Sequence, residues 1–111
     1  MTEAQLADAI AAAAVRCPAV AALSGGGLRR VATYLPGRRV DGVRIEDDRV
    51  EVAVVAVQGV PIIAIAEQVR RAVGTLVGPQ RVDVHVADVQ LLDEQPSALP
   101  PGQSAVGVPP V

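Results

Sequence analysis

Val43-Arg44-Ile45-Glu46-Asp47-Asp48-Arg49-Val50-Glu51-Val52 begins the most informative part of this chain, which runs on to Val89. Across it the hydrophobic period changes from two to about 3.6 and back again, with turn residues at each switch. That order spells strand, strand, helix, strand. Val43, Ile45, Val50, Val52 and Val54 alternate with Arg44, Glu46, Arg49 and Glu51, the pattern of a pleated ribbon with one wet face. With Asp47-Asp48 as a two-residue turn, Glu46 opposes Arg49 and Arg44 opposes Glu51 on one face. Ile45 then meets Val50, and Val43 meets Val52, on the other. A slip of one residue would push the charges into the core and the valines into water, so the pattern fixes register as well as element. Asp tolerates the left-handed conformation that such a turn asks for, though less well than Gly.

A helix follows, with start and stop signals. Gly59-Val60-Pro61 places proline at the first helical position, where its missing N–H costs nothing, and Gly78-Pro79 closes the far end. Ile62, Ile65, Val69, Val73 and Leu76 form one apolar stripe, with Glu67, Gln68, Arg70 and Arg71 mostly on the other side. Val82, Val84 and Val86 then alternate with Arg81, Asp83 and His85, which predicts a last strand with its valines inward.

Outward from this centre, Thr2 to about Arg16 reads as a helix. Thr2 and Gln5 suit a capping box, Leu6, Ile10 and Ala13 share a face, and Pro18 stops it. Ala19 to Leu23 is a short apolar segment with the character of an edge strand, and Ser24-Gly25-Gly26-Gly27 is a loop. Between Leu28 and Val40 the pattern is weak: Val31 to Leu35 suits a strand or a helical turn before Pro36-Gly37 breaks it, and we read it as strand. From about Gln95 to Val111 proline, glycine and small residues dominate without period. The expectation is an α+β domain over residues 1–92 and a disordered tail over 93–111. Its architecture is a two-layer sandwich, with two helices on one face of a three- to four-stranded sheet.

The core must be aliphatic, because the chain has no Phe, no Trp and one Tyr, Tyr34. Facing residues are then small and must approach closely to reach normal density. The net charge is −2, and all ten basic residues are Arg, which fits the codon usage of a GC-rich genome better than a designed site. Cys17 is the one cysteine, so no intramolecular disulfide forms and a reducing compartment is expected. The longest apolar run near the N-terminus, Ala9 to Val15, is short against the roughly 20 residues of a membrane span. No targeting signal is visible, and a cytoplasmic location is the default expectation.

The outer sheet face is expected to carry Arg44, Glu46, Arg49, Glu51, Arg81, Asp83 and His85, with Ala53, Val55 and Val57 as a greasy half. We take Ala53, Val55, Val57, Arg44, Arg81 and His85 as the candidate partner or oligomer face, although scattered exposed valine is also normal for monomers. Arg29, Arg30, Arg38 and Arg39, with Arg44 nearby, concentrate positive charge and form a candidate anion-contacting patch. The acidic balance and the lack of stacking aromatics count against nucleic acid.

Catalysis needs converging titratable or nucleophilic groups, and few are present. His85 sits between Asp83 and Ala87 as a surface histidine. Cys17, with no second cysteine and one histidine in the chain, lacks the ligands for a zinc or iron–sulfur site and reads as a buried thiol. Asp41, Glu46, Asp47, Asp48 and Glu51 lack the spacing of a calcium loop. Gly25-Gly26-Gly27 before Leu28-Arg29-Arg30 lacks the Lys and Ser/Thr of a phosphate cradle. No catalytic, cofactor-binding or metal residue is therefore assigned, and no cofactor is expected.

With these residues in hand, the chain resembles the alkaline-shock-protein family of small bacterial envelope stress response proteins, here of an actinobacterial type. The resemblance rests on Cys17-Pro18-Ala19-Val20 after an alanine-rich helix, on Leu23-Ser24-Gly25-Gly26, and above all on Val52-Ala53-Val54-Val55-Ala56-Val57-Gln58-Gly59-Val60-Pro61. Val82-Asp83-Val84-His85-Val86-Ala87-Asp88-Val89 matches the family's closing strand. Coverage is about residues 6 to 90. Gln58 stands where Tyr is common, Ala19 replaces the usual Gly, and the segment from Arg29 to Val40 is short. The resemblance implies a non-enzymatic scaffold that self-associates, gathers at the inner face of the membrane through an anchoring partner, and supports cell-envelope homeostasis. Two alternatives remain. Iron–sulfur cluster assembly domains share the element order but carry cysteines where this chain has Gln58-Gly59-Val60-Pro61. An anionic lipid or RNA binder would use the central arginines.

Overall fold

A computed structural model describes residues 2–25 and 30–91. In chain order they form α1 (Glu3–Val15), β1 (Val20–Leu23), β2 (Ala32–Leu35), β3 (Arg38–Asp41), β4 (Val43–Ile45), β5 (Arg49–Val57), α2 (Ile62–Val77) and β6 (Arg81–Gln90). The fold is α+β, as the periodicity predicts. The tail expected over 93–111 lies outside the described residues.

The Asp47-Asp48 hairpin has the predicted register: Val43 pairs with Val52, Arg44 with Glu51 and Ile45 with Val50, and Glu46 N donates to Arg49 O at 2.8 Å. β5 is the axis of a four-stranded sheet. One of its edges runs parallel to β6 along its whole length, which the α2 crossover makes possible. Its other edge is shared by two antiparallel strands, β4 beside Val50 to Val52 and β1 beside Val54 to Ala56.

The two partners meet at Ala53. Ala53 N donates to Gly42 O at 2.9 Å, and Ser24 N donates to Ala53 O at 2.9 Å. Gly42 takes φ +88°, and a Cβ there would lie 2.8 Å from the Leu23 Cβ and 3.1 Å from Ala53 O. Only glycine fits both the backbone and the space. Just before this junction β2 and β3 form a separate antiparallel hairpin around Pro36-Gly37. The strand expected over Val31 to Leu35 is β2; β3 was not expected, and it is a strand because Gly37, at φ +76°, turns the chain back on β2. The Thr33 hydroxyl donates to Val43 O at 2.6 Å and ties this hairpin to β4.

Both helices cover the same sheet face. Ala7, Ile10 and Ala14 of α1 and Ile65, Val69 and Val73 of α2 share one buried cluster with Val43, Val50, Val52 and Val54. The alanines of α1 let it lie close, so valines fill an interior without aromatics. The Thr2–Gln5 capping box is formed. Pro61 is the N-cap of α2 and not its first residue: its extended ψ of 143° lies outside the helix, though its carbonyl accepts from Ile65 N. Ile62 departs from the predicted stripe. It is 67% exposed in the first turn of α2, a few residues after β5 ends at Val57.

Candidate functional site

On the outer face the charges predicted for β4, β5 and β6 are present and tied to one another. Arg44 pairs with Glu46. Arg49 is the hub: its guanidinium reaches Glu51 Oε2 at 3.1 Å, Asp48 Oδ1 at 3.3 Å and Asp83 Oδ2 at 3.4 Å. Arg81 Nε lies 3.1 Å from Asp83 Oδ1, and His85 Nε2 lies 3.9 Å from Glu51 Oε1. The Glu51 carboxylate holds the Arg49 guanidinium above its ordinary range. Positive and negative groups alternate along each strand; Arg49 lies beside Arg81 and Glu51 beside Asp83, so the pairs that join β5 to β6 run diagonally, Arg49 to Asp83 and His85 to Glu51.

Glu51 corrects one expectation. It was placed on the wet face, and its side chain is 2% exposed. Period two reports which face a residue takes, not how deep it lies. Of the candidate partner face, Arg44, Arg81 and His85 stand on the outer side as expected, and Val55 and Val57 are half-buried. Ala53 is fully buried at the junction where Ser24 and Gly42 close on its backbone, so the greasy half-face loses its centre.

The candidate anion patch is largely neutralised. Arg38 does not join the other arginines; it forms a two-pronged pair with Asp8 on α1, at 3.1 and 2.9 Å, and holds that carboxyl below its usual range. Arg30 and Arg39 share Asp41, at 3.8 and 2.9 Å. Three guanidiniums thus meet two carboxylates. Arg29 lies outside the described residues.

Cys17 is buried, as predicted, and burial pushes its thiol pKa up. Its sulfur donates toward the Ala13 and Gln68 carbonyls, each at 3.6 Å. It forms part of the wall of an open groove of about 360 Å³ between the end of α1 and the flank of α2, with Arg16 and Arg71 at its rim. Gln68 Oε1 is taken by Ala19 N at 3.2 Å. Cys17 and Gln68 thus join α1, β1 and α2.

A second surface was not anticipated. Ile62 and Ile63, 67% and 73% exposed, begin α2 directly beyond the end of β5, and Val89 and Leu91 are exposed at the end of β6. Gln58 N donates to Gln90 O at 3.1 Å, which brings the two segments to the same end of the molecule. The signal was the pair Ile62-Ile63 itself, since a helix on a sheet buries one of two adjacent residues. Among the described residues no helix is long and apolar enough to cross a membrane, and no three His, Cys, Asp or Glu side chains gather as a metal ion would need. Compared with protein-family models, with curated proteins and with solved structures, the chain finds no match.

Proposed function

We propose that this protein is a non-enzymatic scaffold of the envelope stress response kind. In this reading it self-associates and is drawn to the inner face of the membrane by an anchored partner. The single observation that carries the reading is the apolar end formed by Ile62, Ile63, Val89 and Leu91. Large aliphatic groups grouped and exposed in this way favour association with another macromolecule. The ionisable groups support it from the other side: on β5 and β6 they pair with one another instead of converging on a cleft. The resemblance of Val52 to Pro61 to alkaline shock proteins supplies the cellular setting.

The test is capture of partners from native bacterial lysate and membrane fractions, with Ile62→Asp/Ile63→Asp beside the parent chain. The reading expects an envelope or membrane-anchored protein on the parent chain, lost with the double substitution while the fold is kept. A strict monomer that retains no such partner overturns it.

A further inference from the structure

β6 is a ten-residue edge strand. Among the described residues it pairs with β5 alone, so its other edge is open. In a parallel ladder alternate residues turn both main-chain groups toward the neighbour. Gln90 does so, its carbonyl accepting from Gln58 N at 3.1 Å. Val82 is of the other set, and its carbonyl accepts from the Arg70 side chain at 3.2 Å. Val82, Val84 and Val86 therefore offer their N–H and C=O groups outward.

The register contains one irregularity. Val54 pairs with Val86 but Val55 with Asp88, so Ala87 is the bulged residue. The bulge keeps Asp88 on the same face as Arg81, Asp83 and His85. Read along that face, the charges are self-complementary when the strand is laid antiparallel to its own copy.

We propose that β6 pairs antiparallel with β6 of a second copy of this chain, about a two-fold axis through Val84, making one continuous eight-stranded sheet. In that register Val84 meets Val84 of the second copy, Val82 meets Val86, Asp83 meets His85 and Arg81 meets Asp88. The valines exchange the main-chain hydrogen bonds. The charged residues form the closer pairs between them, where side chains interact most. The Val82 carbonyl has two lone pairs and keeps Arg70 while accepting from Val86 of the copy. Neighbouring registers are poor: a slip one way opposes Asp83 to its own copy and Arg81 to His85, and a slip the other way opposes Asp83 to Asp88 and His85 to its own copy. Asp88 accepts from Val89 N through Oδ1 at 2.8 Å and has no ion pair among the described residues, and the Arg81 side chain, paired with Asp83, is 67% exposed, so both stand at the open edge. This pairing rests on the self-association in the proposed function and gives it a surface and a register.

Sedimentation equilibrium of the full chain tests it, with Arg81→Glu, Asp88→Arg and the two combined, and with circular dichroism showing that each variant is folded. The pairing predicts a dimer for the parent chain, association weakened roughly tenfold or more by either single reversal because each changes two symmetric contacts, and recovery in the combined variant. A dimer indifferent to the reversals overturns this pairing and leaves self-association through another surface standing. A parent chain that stays monomeric at high micromolar concentration overturns the pairing and the self-association together, whether residues 92–111 or some other molecule occupies the edge.

Discussion

Arg49 and Glu51 stand two positions apart on one face of β5, and Arg49 Nε donates to Glu51 Oε2 at 3.1 Å although the Glu51 side chain is only 2% exposed. A carboxylate that deep is tolerated because a guanidinium covers it. Arg49→Ala is expected to be the costlier change, since it removes the guanidinium that both pairs with and covers the Glu51 carboxylate. Glu51→Gln removes the charge and leaves Arg49 its contacts with Asp48 and Asp83, so it should cost about 1 kcal/mol. Urea unfolding of both variants and of the double variant checks the order; equal costs would count against a coupled pair.

Gly42 and Gly74 should respond to the same substitution with opposite signs. At Gly42 an alanine faces both a positive φ and a 2.8 Å approach to Leu23, for a loss of roughly 3 kcal/mol or more. At Gly74, inside α2, a Cβ meets nothing within 4 Å, and alanine should add about 0.5–1 kcal/mol of stability. Thermal melts of Gly42→Ala and Gly74→Ala read this directly.

Asp8 should titrate below the ordinary carboxylate range because of Arg38. Its folded value is depressed, so the stabilisation is present above the unfolded pKa of about 3.9 and is lost as pH falls through the lower folded value. A carboxyl NMR titration should show Asp8 returning to the ordinary range in Arg38→Ala. No movement would mean that the pair does not persist in solution.

Cys17 should be slow to react in the folded protein, because burial disfavours its thiolate. A thiol reagent at neutral pH is expected to label it at least about tenfold faster in denaturant than in buffer. Equal rates would place the thiol at the surface.

The sequence was legible where two signals agreed. The β4–β5 register followed from alternation together with a two-residue turn, and the Thr2–Gln5 cap followed from residue types at fixed spacing. β3 was not legible: Arg38-Arg39-Val40-Asp41 holds one apolar residue, and it is a strand because Gly37 folds it onto β2. The candidate anion patch misled for a related reason. Arg38 lies next to Arg39 in sequence, but alternation along β3 sends them to different carboxylates, Asp8 and Asp41. Depth was also hidden, for Glu51 and Ala53 share the parity of Arg44 and His85 yet are buried, Ala53 where Ser24 and Gly42 close on its backbone and Glu51 under Arg49. Ile62 shows the reverse: it carries the right period but is exposed at the start of α2.

The division of one edge of β5 between two strands gives the sheet a direction of assembly. Val50 to Val52 find β4 across a tight reversal, a closure of low entropic cost, whereas Val54 to Ala56 wait for β1 to return from far upstream. The half of β5 nearer Ile62 and Ile63 thus rests on the longer of the two closures, and loosening β1 would free that end while the aspartate hairpin still holds.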